Sequence, residues 1–296
     1  MSKTVRLKAF AKINLCLQVL GKQPDSYHEL RTIFQAISLH DSLEMELLPS
    51  RNVAFEITTE WSPVLPADST NLVWRAIDAL KHELHIRQGF RAHLIKRIPV
   101  ARGLGGGSSD AAAALQGVLR LTKREVPLPR LLEIASSLGA DVPFFLFGGR
   151  ALGVNRGDEI YPLPDLPNRT ILVVSPANIA VSTRDAYVWV DERLTTQRSA
   201  PKMWSFCALC WSRQGSASND FEAAVFDRYP RLSEIKRRLL QGGAAEAALA
   251  GSGSAVFGVY RNPAQARRAA RAFPEDQVFV TQTLSREAYR RGILAR

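Results

Sequence analysis

Cysteine is scarce in this chain of 296 residues, which has only Cys16, Cys207 and Cys210. Three thiols exclude a disulfide framework, and an odd number suits a reducing compartment. Cys207 and Cys210 have the separation of a redox or zinc pair. No second Cys or His pair lies near them, so they read as two apolar-leaning thiols on one helix and no metal site is expected. Long hydrophobic runs are also missing: none approaches the ~20 residues that span a bilayer. The start, Met1-Ser2-Lys3-Thr4-Val5-Arg6, enters strand-like alternation without the apolar core of a signal peptide, so a cytoplasmic protein with no membrane partner is expected. Acidic residues are outnumbered, leaving a net charge of +11. The basic residues are dispersed, apart from Lys236-Arg237-Arg238 and the trio Arg267, Arg268 and Arg271, and they lack the interleaved aromatics of single-strand binders. A nonenzymatic RNA-binding protein stays open as an alternative, but the excess charge better suits attraction of an anionic small molecule.

What the chain does have is one glycine-dense stretch, Pro99-Val100-Ala101-Arg102-Gly103-Leu104-Gly105-Gly106-Gly107-Ser108-Ser109, followed by the alanine-rich run Asp110 to Leu115. Glycine lets the backbone take positive φ and approach a ligand closely, and a helix begun here points unpaired N–H groups at whatever the loop encloses. The natural guest is a phosphate chain. A Walker loop would need a lysine after Gly107, and a dinucleotide fingerprint would need glycine at Ser108, so neither fits. A flexible linker is the bland reading, but strong helix formers rarely follow a linker at once.

The length allows one large domain or two ordinary ones. Alternation over residues 5–20 predicts a strand on which Lys12 and Asn14 share a face. Further strands are expected at Asp41 to Leu48, Val53 to Thr58 and Gly89 to Lys96, with helices at Asn71 to Leu84, Ser109 to Leu121 and Pro129 to Leu138. Gly139 stops the last of these, just before Asp141 in an apolar setting. Prolines at 162, 164 and 167 precede a strand at Thr170 to Val174, which places a boundary near residue 160 and gives domains of 1–160 and 161–296. The order of elements predicts an α+β class. Leu249 to Gly258 holds a Gly-Ser-Gly-Ser turn whose plain reading is a hairpin.

Taken together, the lysine-bearing first strand, the glycine loop and the late glycine-serine turn resemble the GHMP kinases, the small-molecule kinases named for galactose, homoserine, mevalonate and phosphomevalonate. Within that superfamily, Ala11-Lys12-Ile13-Asn14-Leu15, Ser26-Tyr27-His28-Glu29-Leu30, Gly103 to Ala112 and Gly139-Ala140-Asp141-Val142-Pro143-Phe144 resemble the 4-diphosphocytidyl-2-C-methyl-D-erythritol kinases. Asn219-Asp220-Phe221-Glu222 resembles a further segment of that family. The resemblance runs from about Lys8 to about Val259, while Trp189 to Ser218 matches little. Arg102 stands where the family usually has a small residue.

The resemblance implies two domains, the first ribosomal-protein-S5-like and the second ferredoxin-like. It also implies ATP-dependent phosphorylation of the 2-hydroxyl of a cytidyl diphosphate sugar alcohol, a step of the non-mevalonate route to isopentenyl diphosphate, by a monomer or weak homodimer. A homoserine- or mevalonate-type kinase is the alternative within the superfamily. Phosphoryl transfer needs positioning, charge neutralisation and a base. Asp141 is the candidate base, since a free aspartate titrates near ~3.9 and is ionised at neutral pH. Lys12 would steady the carboxylate and the nucleophilic oxygen. ATP would be held by the segment Pro99 to Ser109, with Lys96 and Asn71 near the nucleotide. Mg2+ is expected with it, because it bridges nucleotide phosphates. Tyr27 and Tyr187 would sandwich the base and His28 would hydrogen-bond it, while Asn14 and Thr183 would meet the alcohol or its phosphates.

Overall fold

In the computed structural model the described residues are 4–22, 28–59, 65–193, 206 and 217–294. Strands β1 (Thr4–Lys22) and β2 (His28–Leu48) form a long antiparallel ribbon. β2 is long enough to serve two partners on its other edge: β4 (Gly89–Lys96) along Ser42 to Leu48, and β5 (Arg150–Val154) along Thr32 to Gln35. β3 (Val53–Thr59) pairs parallel with β4, which requires a crossover, and α1 (Leu72–Glu83) supplies it. β6 (Glu159–Pro162) extends the sheet from β5, and the two-residue β8 (Ser218–Asn219) lies parallel to β1.

The helices α2 (Gly106–Thr122), α3 (Leu128–Leu138) and α4 (Val142–Phe147) join α1 in the first hydrophobic core. The alanine run explains how α2 sits so close. Ala111 to Ala114 are at most 4 % exposed, and at Gly117 a Cβ would stand 2.3 Å from the Met45 sulfur. Small side chains here bring helix and sheet within van der Waals reach, so that α2 is fixed rigidly beneath the glycine loop.

The second sheet contains β7 (Thr170–Ser175), β9 (Glu246–Leu249), β10 (Val256–Tyr260) and β11 (Gln277–Gln282), all antiparallel, in the order β11-β7-β10-β9. Helices α5 (Thr183–Arg193), α6 (Phe221–Arg228) and α7 (Pro230–Gln241) fall between its first two strands, and α8 (Pro263–Ala270) between its last two. This is the ferredoxin-like β-α-β-β-α-β order. The first sheet's β6 ends at Pro162 and the second sheet opens at Thr170, while β8 and the closing helix α9 (Arg286–Ile293) carry later residues back to the first half. There Tyr289 is buried and donates its hydroxyl to the Phe145 carbonyl at 2.6 Å.

A third apolar cluster joins the halves: Ala11, Ile13 and Leu104 from the first meet Ile171, Ala250 and Phe257 from the second. Ala11 and Ile13 face this seam. Their neighbours Lys12 and Asn14 therefore face the other way, as strand alternation requires.

Candidate active site

Lys12 and Asn14 open onto a cleft of about 1180 Å³, above the usual ~300–1,000 Å³ of single-ligand pockets. The β1–β2 ladder shifts register on both sides of them, between Phe10 and Lys12 and again between Asn14 and Cys16. Bulges of this kind re-aim side chains next to functional sites. Lys12 is 3 % exposed. Its Nζ donates to Asn14 Oδ1 at 2.9 Å and lies 3.2 Å from Asp141 Oδ2. Asn14 Nδ2 donates to the Thr32 hydroxyl at 2.7 Å, and that hydroxyl donates to the Cys16 carbonyl at 2.8 Å. The chain of bonds fixes the amide so that its oxygen faces the ammonium.

Asp141 stands immediately before α4, and its side chain caps no backbone N–H of that helix. It is about one-third exposed at 30 %, open to the cleft and backed by Lys12. A Cβ on Gly139 would meet Ser108 Oγ at 3.7 Å, an ordinary contact distance, so the Asp141 segment runs beside the first turn of α2.

The glycine loop reaches that turn through three positive-φ residues, Ala101 (54°), Gly103 (76°) and Gly105 (71°). At Gly103 a Cβ would fall 1.7 Å from the Ala250 carbonyl, and at Gly105 3.0 Å from Lys12 Cγ, so both positions need glycine for conformation and for space. Gly105 is the N-cap of α2 and supplies no side-chain acceptor, so the first-turn N–H groups face the cleft without a side-chain cap. Such a terminus is a ready anion site. Helix α2 starts at Gly106 rather than at the expected Ser109; Gly106 and Gly107 in its first turn have low helix propensity, so the sequence pattern does not show that turn.

Asn71 lines the cleft but spends its side chain on α1, accepting from Val73 N–H at 2.9 Å and donating to the Pro66 carbonyl at 2.9 Å. Lys96 also lines the cleft. Its ammonium is bound by Asp41 at 2.5 Å and Asp110 at 2.8 Å, all three groups being buried. Burial alone would lower the Lys96 pKa, but the two carboxylates outweigh it and raise it. Burial pushes the Asp110 carboxyl well above the usual carboxylate range, against the pull of Lys96. Asp41 also accepts the backbone N–H groups of Arg97 at 2.5 Å and Ile98 at 2.8 Å, anchoring the entry to the glycine loop. Removing one partner of a buried pair strands the other charge, so Asp41→Ala is expected to lower the unfolding free energy by about 3–5 kcal/mol. Urea denaturation at neutral pH measures this, and Asp110→Asn should cost less because burial already favours its neutral form.

At the other end of the cleft, the His28 and Tyr187 rings stack at 4.4 Å and 21°, and Tyr187 meets Phe221 edge-on at 4.9 Å. His28 Nε2 pairs with Asp191 Oδ1 at 2.6 Å. Burial, and secondarily the charge of Asp141, pushes the Tyr187 hydroxyl pKa up. The Thr183 and Ser252 hydroxyls share a hydrogen bond at 3.0 Å. Asn219 holds the glycine-serine turn by donating to the Leu249 and Gly251 carbonyls at 2.8 and 2.7 Å. A Cβ on Gly251 would lie 3.3 Å from Lys12 Nζ, so the turn packs directly against the ammonium.

Thus Lys12, Asn14, His28, Asn71, Lys96, Pro99 to Ser108, Asp141, Thr183 and Tyr187 border one cleft, while Ser109, in the first turn of α2, is buried and does not line it. Tyr27, Cys207 and Cys210 lie outside the described residues. In the sequence, Asp41 and Asp191 carry no local pattern that marks them, while Asp110 and Ser252 lie within the glycine-loop and glycine-serine motifs without a role of their own. Phe221 lay in a segment singled out there without a role. Among the described residues no cluster of three His, Cys, Asp or Glu side chains forms a metal site, and no helix is long and apolar enough to cross a membrane.

Residues 71–149 match the family described as GHMP kinases N terminal domain, and residues 204–277 match GHMP kinases C terminal. A Solibacter usitatus protein named 4-diphosphocytidyl-2-C-methyl-D-erythritol kinase is 45% identical over 98% of this chain and 92% of its own length. A protein of the same name from Geobacter sulfurreducens is 41% identical over 90% of this chain and 94% of its own. A crystal structure of 4-(cytidine 5'-diphospho)-2C-methyl-D-erythritol kinase superposes with a TM-score of 0.79 at 34% identity, covering 94% of this chain and 98% of that one. Homoserine kinase from Cytophaga hutchinsonii shares the fold, with a TM-score of 0.72 at 19% identity over 96% of both chains.

Proposed function

The chain belongs to the 4-diphosphocytidyl-2-C-methyl-D-erythritol kinase family of GHMP kinases, and we propose on that footing that it transfers the γ-phosphoryl group of ATP to the 2-hydroxyl of 4-diphosphocytidyl-2-C-methyl-D-erythritol. The observation that carries the chemistry is the 3.2 Å approach of Lys12 to Asp141 beside the glycine loop. Asp141 accepts the hydroxyl proton as the oxygen attacks phosphorus. Lys12 offsets negative charge on that oxygen and holds the carboxylate in place. The N–H groups of the loop and of the first turn of α2 bind the phosphates and receive the charge of the departing ADP.

The donor set near the loop fits magnesium brought in with the nucleotide. Asp110 Oδ1 is buried with no hydrogen-bond partner, and the Ser108 hydroxyl lies two residues before it on α2. These are hard oxygens of the type the ion takes beside phosphate oxygens, and the bound ion would neutralise phosphate charge. His28 and Tyr187 form the face for the cytosine ring, with Tyr27 as its second cover, and Asn14 and Thr183 meet the alcohol and its phosphates. On this reading the enzyme works in the cytoplasm on a small molecule rather than on nucleic acid.

ADP release, measured with each of the cytidyl alcohol, homoserine and mevalonate in turn, tests the reading. Turnover is expected with the first alone. Turnover of homoserine or mevalonate without the cytidyl compound would reassign the chain to another branch of the superfamily. Salt-sensitive RNA binding that survives Asp141→Asn, with no turnover of any alcohol, would favour a nonenzymatic protein.

A further inference from the structure

Arg102 belongs to the glycine loop, yet its guanidinium leaves it. Nη1 donates to the Ile179 carbonyl and, at 3.2 Å, to the Ser254 hydroxyl; Nη2 donates to the Ala177 carbonyl at 3.2 Å. The Arg102 carbonyl accepts Ala255 N–H at 3.2 Å, and Ser254 Oγ donates to the same Ile179 carbonyl at 2.5 Å. A single loop residue of the first half is thereby bonded to two separate segments of the second: the approach to α5 and the glycine-serine turn.

The two ends of this link differ in how else they are held. The glycine loop is fixed by Lys12 N–H donating to the Leu104 carbonyl at 3.0 Å and by the close seating of Gly103 on Ala250. Residues 176–182 form no helix or strand of their own, and α5, which follows them, carries Thr183, Tyr187 and Asp191 into the cleft. Loss of the guanidinium therefore falls mainly on the α5 side.

We propose that Arg102 is a positioning residue, tying the phosphate loop to the approach to α5 so that the groups facing the alcohol are set relative to the phosphoryl donor. The idea rests on the kinase reading above. It assigns Arg102 to carbonyl oxygens across the seam, where a phosphate ligand would instead have to release three hydrogen bonds.

Steady-state kinetics of Arg102→Ala, Arg102→Lys and Ser254→Ala, varying ATP and the cytidyl alcohol separately, is paired with amide hydrogen exchange over residues 176–182. Arg102→Ala is expected to raise KM for the alcohol about tenfold and KM for ATP less than about threefold, with faster exchange across 176–182. Lysine, reaching one carbonyl at a time, should recover part of the loss. Ser254→Ala should shift the same constant by less, and the double variant should fall short of the product of the two, because both side chains hold Ile179. A rise in KM for ATP alone would make Arg102 a nucleotide ligand and overturn the proposal. Unchanged constants with only a lower melting temperature would reduce it to a structural bond. If the wild type fails to phosphorylate the alcohol, the kinase reading falls, and exchange still decides the link: unchanged exchange at 176–182 in Arg102→Ala refutes it, and faster exchange supports it.

Discussion

Asp141→Asn is expected to lower kcat by about 10³-fold while affinity for a nonhydrolysable ATP analogue stays within about twofold, since a general base contributes 10²–10⁴-fold and the nucleotide is held elsewhere. The replacement keeps the shape of the side chain and an oxygen that Lys12, 3.2 Å away, can still meet. What it removes is the capacity to take a proton. The ATP contacts proposed here are backbone N–H groups of the glycine loop and of the first turn of α2, whose conformation is set by Gly103, Gly105 and the buried alanine run rather than by Asp141. Rapid-quench single turnovers and calorimetric titration with the analogue separate the two quantities. Turnover within tenfold of wild type would remove Asp141 from proton transfer, whereas joint loss of turnover and analogue affinity would mean that it serves the nucleotide.

How far the sequence foretold this site depends on whether the cause is local. The glycine loop was legible because its demands are local: positive φ, close backbone approach and a helix starting at once. The strands β3 and β4 and helix α1 also follow from their own patterns. The first half of β2 was not predicted, since residues such as Phe34, Ala36 and Ile37 are buried on both faces and their run shows no clean alternation. Helix α4 is a six-residue segment with Pro143 in its first turn and aromatics around it, too short for a helical period to show. The two-residue β8 exists only because β1 is there to pair with it.

The pairing of Lys12 with Asp141 was read from family resemblance, because neither residue has a local signature distinguishing it from a solvated charge. The sandwich for the base had the same origin, and its described part adds a feature the residues did not announce: His28 lies on Tyr187 and is held by Asp191. Asp41 is the clearest case of a residue beyond reach. Its burial follows from Lys96 at the end of the neighbouring strand and from the two backbone N–H groups just past it, which is a property of the assembled sheet.

Lys12→Met is the second large effect: kcat should fall by about 10²–10³-fold, the range seen when a preorganised charge-stabilising group is lost. The ammonium is almost wholly removed from water, donates to Asn14 and lies 5.5 Å above the Phe34 ring, so its field acts in a low-dielectric setting where charge interactions are strong. Methionine preserves the stem that packs against Gly105 and fills the space a truncation would leave, so the fold and the glycine loop should persist. The ATP KM should therefore move little, and circular dichroism should be unchanged. If Lys12 acts only by aiming the Asp141 carboxylate, Lys12→Met in an Asp141→Asn background should cost nothing further. If it also stabilises the charge on the attacking oxygen, the double variant should fall below Asp141→Asn alone, by less than the product of the single effects because the two groups work on one proton transfer. A rise in KM for the cytidyl alcohol with kcat intact would give Lys12 a binding role and leave the neutralisation of the nucleophile to another group.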